Sequence, residues 1–197
     1  GDVYKRQILE SNKENITKVA YRKCRESILE IEERELFLKN DKIGAVAEYI
    51  ISKCEEITPL ALQKLLYYSQ AFTRLFTKNN LFDDDCEAWV HGPVYRNVYE
   101  KYRDFGRNQI EYENNIISLD NDMEEKIVDA VIKYFGCYSG KILERMTHEE
   151  KPWVVNRQGL GKYESSSNVI EKEVIDEYFN NIKSVSYTHL TLPTKRI

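Results

Sequence analysis

Histidine and cysteine are scarce in this chain. It holds three histidines and four cysteines in 197 residues. No two cysteines form a C-x-x-C pair, so the ligand spacing of a zinc knuckle is missing. No run approaches the ~20 apolar residues that cross a bilayer, and the N-terminus lacks the apolar stretch of an export signal. Cys24, Cys54, Cys86 and Cys137 are therefore expected as reduced thiols of a cytoplasmic protein, mostly core or half-buried fillers. G-x-S-x-G is absent, which removes the serine elbow of the hydrolases that use it. Gly159-Leu160-Gly161 leads into no phosphate-binding pattern. Asp83-Asp84-Asp85 lacks the spacing and closing glutamate of a calcium loop and reads as a solvated turn. No cofactor and no metal site is expected.

An excess of basic charge is missing too. Lys and Arg total 29 against 33 Asp and Glu, a net charge of −4. That balance argues against nucleic acid or an anionic membrane as the main partner. With 42% hydrophobic and 31% charged residues, the chain can bury a core.

The two ends look foreign to the rest. Asp2 to Gln7, DVYKRQ, has one coding as GAT GTG TAT AAG AGA CAG. The reverse complement of that DNA, read two bases in, encodes Val-Ser-Tyr-Thr-His, the residues at Val185 to His189. Residues 1–7 and 185–197 are therefore expected to be scars of one DNA element, which resembles the transposon end used as a sequencing adapter. Setting them aside removes four bases (Lys5, Arg6, Lys195, Arg196) and one acid (Asp2). It leaves 25 bases and 32 acids, a net charge of −7.

Between the ends the hydrophobic period is helical. Ile16, Val19, Ala20, Cys24, Ile28 and Ile31 predict a charged amphipathic helix across 14–38, an extension preceding the main domain. Asn40-Asp41 breaks it, and Lys42 to Cys54 forms a second helix. Thr58-Pro59 is a helix start: threonine offers a capping oxygen and proline suits the first turn. The helix to Lys78 carries Leu62, Leu65, Leu66, Ser69, Phe72 and Phe76 on one face and should be central. Cys86 to Val90 reads as short and extended. Pro93 is expected to open a helix through Phe105, closed by Gly106. A hairpin strand is expected near Ile110 to Tyr112. Asp120 or Asn121 should cap a helix to Phe135 with Met123, Ile127, Val131 and Phe135 inward. Ser139 should cap another through Met146. Asn168 with Glu171 should box the start of a final helix to Lys183. The expected fold is all-α: a compact domain of about six helices, at most one short β-hairpin, and an N-terminal helical extension.

Few residues can carry chemistry. His91 and His148 could form a proton shuttle with a carboxylate, which would make the chain a small hydrolase or transferase. Neither stands in a metal-ligand spacing, and each could equally order its own turn. Arg22, Lys23 and Arg25 are the one basic cluster that suggests a DNA-binding operon regulator, and acids surround them. Aromatic residues are better placed. Tyr68, Tyr95 and Tyr99 neighbour charged groups, as tyrosines at interfaces do.

Three segments resemble one family. Ile57 to Ala71, ITPLALQKLLYYSQA, is similar to the LQKLLYY helix of the Panacea domain. Glu87 to Val94, EAWVHGPV, resembles its EAWxxGPV motif, and Thr147 to Trp153, THEEKPW, resembles its TH-x-x-x-PW motif. Order and spacing agree over Lys42 to Lys183. The resemblance implies a SocA-like antitoxin of bacteria or phages (the group also called GepA). Such a protein would be no enzyme, would bind a cognate toxin directly, and would either occlude it or deliver it to a Clp-type protease. On this reading the domains are 8–41, an extension, and 42–184, the Panacea domain. Thr58, Pro59, Trp89, Gly92, Pro93, Pro152 and Trp153 are expected to be structural. Gln63, Tyr67, Tyr68, His91, Tyr95, Arg96, Tyr99 and His148 are the candidate partner contacts.

Overall fold

The computed structural model describes residues 22–25, 28–29, 41–111 and 118–190, with 185–190 described as backbone only. Two units divide the chain, Gly1–Lys42 and Ile43–Ile197. In the first, residues 22–25 and 28–29 are helical and exposed; most of the helix expected over 14–38 lies outside the described residues.

The second unit is mostly helical, as its period requires. α1 is Lys42–Lys53 and α2 is Pro59–Thr77. Thr58 caps α2 through its hydroxyl, which accepts from the Ala61 amide at 3.3 Å, and Lys78 closes it in the left-handed region. Strand β1 (Cys86–Trp89) turns through Val90-His91 into β2 (Gly92–Val94). α3 is Arg96–Tyr102, followed by a 3-10 turn at Arg103–Phe105. α4 (Asp122–Phe135) is capped by Asn121 and α5 (Gly140–Glu149) by Ser139. α6 is Lys151–Asn156, β3 is Val169–Ile170, and α7 is Lys172–Leu190. No helix among the described residues is long and apolar enough to cross a membrane.

α2 is the axis of the unit. α4, α5, α7, β2 and α3 all pack on it. Tyr67, Tyr68, Leu62, Leu65 and Leu66 are essentially inaccessible, together with Val46 and Ile50 of α1 and Leu143 of α5. At ~25 cal/mol per Å², burial on this scale is what offsets the chain entropy of so many short elements.

Several local expectations are corrected. Pro93 does not open a helix; it sits in β2, an edge strand of the antiparallel order β2-β1-β3, where a residue without an N–H is tolerated. The hairpin is therefore at 86–94. At Ile110 the amide donates to the Ile57 carbonyl instead, and Tyr112 lies outside the described residues. Asn168 does not box a helix start. Its carbonyl accepts from Ala88 and its side chain donates to the Asn156 carbonyl, which seats β3 beside β1. Phe76 and Met123 are exposed at 60% and 56%, and Phe72 is half-buried beside Phe135 and Phe179. Only Cys86 is fully buried; Cys54 is half-buried, while Cys24 and Cys137 are exposed.

Candidate functional site

The three quoted motifs meet at one place, the β1–β2 hairpin. Lys64 of α2 is wholly buried, and its ammonium donates to the Pro93 carbonyl at 2.8 Å. Burial pushes its pKa down to about 7. Gly92 lies directly over it with φ at +97°. A Cβ there would stand 2.8 Å from Lys64 Nζ and 2.8 Å from the Thr147 hydroxyl. Gln63 clamps the strand's exit from both sides: its carbonyl oxygen accepts from the Tyr95 amide at 2.8 Å, and its Nε2 donates to the Tyr95 carbonyl at 3.3 Å. Trp153 donates to the Trp89 carbonyl at 2.9 Å. Each motif thus satisfies backbone polar groups that the hairpin would otherwise bury unpaired.

What these anchors hold up is a polar turn. His91 Nδ1 meets Glu144 Oε1 at 2.8 Å, and Lys141 donates to the other oxygen of that carboxylate at 2.6 Å. Burial would raise the Glu144 pKa, but the Lys141 ammonium and His91 outweigh it and hold it below the usual range. Glu87 behaves alike: partial burial is outweighed by Arg96, which grips it at 2.9 and 2.6 Å, and by the Trp89 indole at 2.7 Å. Trp89 itself packs edge-on against Tyr99, with ring centroids 4.8 Å apart, and Arg96 lies 5.2 Å from its ring. The His148 ring stacks on Trp153 at 3.9 Å. Its Nε2 is buried without a hydrogen-bond partner, and burial lowers its pKa.

Three clefts open around the turn, and His91 lines all of them. One of about 660 Å³ lies between Trp89, Arg96 and the Tyr163–Ser167 segment. A second, about 470 Å³, runs past Glu144, His148 and Trp153 to Lys162 and Tyr163. The third, about 480 Å³, lies between the first turns of α2 and α5 and the end of α3. Among the described residues no group of three or more His, Cys, Asp or Glu could hold a metal ion.

A family model described as antitoxin SocA-like, Panacea domain, matches residues 62–154. The match covers somewhat less than half of the chain and likens this stretch to the Panacea domain. No curated protein and no solved structure matches the chain.

The Panacea motifs sort by burial. Gln63, Tyr67, Tyr68 and Tyr95 are all below 5% exposed. Of these four candidate contacts, Tyr67, Tyr68 and Tyr95 lie inside the core, while Gln63, though buried, lines the third cleft. Tyr68 instead donates to Glu150 at 2.8 Å from inside the core. His91 and Arg96 are exposed, and Tyr99 and His148 are half-buried beside the clefts. Trp89 is half-buried; it contributes its carbonyl to the Trp153 indole and its ring to Tyr99. Pro152 stands in the first turn of α6, after the chain breaks extended at Glu150.

Sequence reasoning missed Glu144, Lys141, Arg103, Arg107 and Arg157. Arg157 is buried, donates to the carbonyls of Ala88, Gly161 and Glu164, and stacks on Trp153. No motif marks these positions. The one available signal was helical: Glu144 lies one turn before His148 on α5, on the face that meets the hairpin.

Proposed function

We propose that this chain is a cytoplasmic antitoxin that neutralises a cognate toxin by binding it directly, and that the face around Trp89-Val90-His91 makes the contact. In this reading residues 42–184 are the working domain and 8–41 an appended extension. The family description supports the antitoxin role. The observation that carries the location is the convergence of three clefts on a two-residue turn pinned from beneath by buried motif residues. A pinned base with half-buried aromatic rings and exposed His91 and Arg96 at its tip suits recognition.

Co-expression with the product of the neighbouring gene tests it. Growth rescue with a stable complex is the expected result. Rescue accompanied by disappearance of the toxin protein would instead indicate delivery to a Clp-type protease. Neither rescue nor complex would sink the antitoxin reading.

One observation favours a second reading, a small hydrolase or transferase. His91 and His148 line the same cleft, and the Glu144 carboxylate orients His91 through Nδ1, leaving Nε2 as a general base. Turnover of generic ester or phosphoester substrates that is lost in His91→Ala would support it; equal rates would end it.

A further inference from the structure

The third cleft differs in charge from the chain that carries it. The protein has a net charge of −4, yet no described residue lining this cleft is acidic, while Arg103, Arg107 and Lys141 stand on its rim beside His91. Lys141 is 69% exposed and pairs with Glu144; Arg103 is 59% exposed and pairs at 3.8 Å with the solvent-borne Asp104. Arg107 is exposed. The first turns of α2, at Thr58 to Leu60, and of α5, at Ser139 to Lys141, both line it and add their positive helix ends to the same space. The floor is apolar: Pro59, Leu60, Val94 and Tyr99.

We infer that this cleft receives an acidic segment of the partner protein, an apolar side chain seated on the Leu60–Val94–Tyr99 floor and flanking carboxylates held by Arg103, Arg107 and Lys141. The inference rests on the direct-binding reading and gives that partner its chemistry. The acidic net charge of the whole chain would by itself favour a basic partner; this cleft has the opposite complementarity. Local charge decides here because, at physiological salt, charges beyond ~8 Å are largely screened. A nucleic acid fits less well: its charge extends far past the cleft, where the acidic remainder of the surface repels it.

The test uses the full chain and two readouts. The first is affinity for the neighbouring gene's toxin, wild type against the double variant Arg103→Glu/Arg107→Glu, with folding checked by circular dichroism. Both side chains are exposed, so the variant should melt like the wild type. The inference expects at least a tenfold loss of affinity, about the scale of one or two desolvated charge pairs. A complex unchanged within about twofold overturns it and leaves the antitoxin reading standing. The second readout is fluorescence polarisation with the labelled peptide Asp-Glu-Leu-Asp-Glu and its Leu→Ser counterpart. Binding of the first, weakened about tenfold in the second and abolished by the double variant, supports the site even if the neighbouring toxin does not bind. Peptide binding that is indifferent to the double variant, or a single-stranded DNA oligonucleotide that binds more tightly at the same arginines, overturns it.

Discussion

Lys64 donates its ammonium hydrogen to the carbonyl of Pro93 at 2.8 Å, beneath a glycine that leaves no room for a β-carbon. The two residues come from different motifs, and Thr147 of the third motif stands at the same spot. The shared sequence pattern thus describes one buried junction that fixes a surface turn.

Gly92→Ala should disrupt that junction. The substitution combines a positive φ with contacts of 2.8 Å to Lys64 and Thr147. We expect a loss of about 2–4 kcal/mol in urea unfolding, from backbone strain plus steric displacement. Loss below about 0.5 kcal/mol, the ordinary surface range, would show that the turn is not held as described.

Stability should pass through a minimum near neutral pH. Burial raises Glu150 to about 7 from 4.5, although Tyr68 and Tyr67 oppose the shift. A raised carboxyl contributes stability that is complete below pH 4.5 and is lost as pH rises through 7. Lys64 runs the other way. Its folded value is lowered from 10.5 to about 7, so the unfolded chain holds more protons between those values and stability recovers as pH rises from 7 to 10.5. At full extent the effect is about 3 kcal/mol for Glu150 and about 5 kcal/mol for Lys64. His148, also lowered by burial, opposes Glu150 below pH 6.5. Thermal melts from pH 4.5 to 10 should show the trough. Glu150→Gln should flatten its acid limb and Lys64→Met its alkaline limb.

Arg157→Lys should not be conservative. One ammonium cannot span the carbonyls of Ala88, Gly161 and Glu164 or stack on Trp153 as the guanidinium does. We expect a loss of roughly 1–3 kcal/mol, chiefly from the buried Ala88 carbonyl left without its donor. Hydrogen exchange at the Ala88 amide, which is bonded to Asn168, should accelerate as β3 loosens from β1.

His91→Ala should separate function from folding. The side chain is 64% exposed, and its pair with Glu144 is of the surface kind, worth about 1 kcal/mol or less. The melting temperature should hardly move, while calorimetry with the toxin should show about tenfold weaker binding. An unchanged affinity would place the contact away from the turn.

Much of this protein was legible in its sequence because the deciding physics was local. Thr58-Pro59, Asn121 and Ser139 carry capping oxygens where helices begin, and the 3.6-residue period marked α1, α2 and α4 with α2 as the most apolar. Capping and amphipathicity act within one or two turns, so a single chain displays them. The hairpin was not legible in this way. Gly92-Pro93 reads as a helix start by propensity, and only pairing with Glu87, Ala88 and Trp89 makes it a strand. Likewise, nothing near Tyr95 or Lys64 says that they are buried, since tyrosine and lysine ordinarily keep a polar end in water. Tertiary structure decided it by supplying distant partners, Gln63 for the Tyr95 backbone and the Pro93 carbonyl for Lys64. The clefts belong to the same class of fact. Arg103, Arg107 and Lys141 share a rim because α3 and α5 approach α2 from different points in the chain, and no local spacing records that meeting.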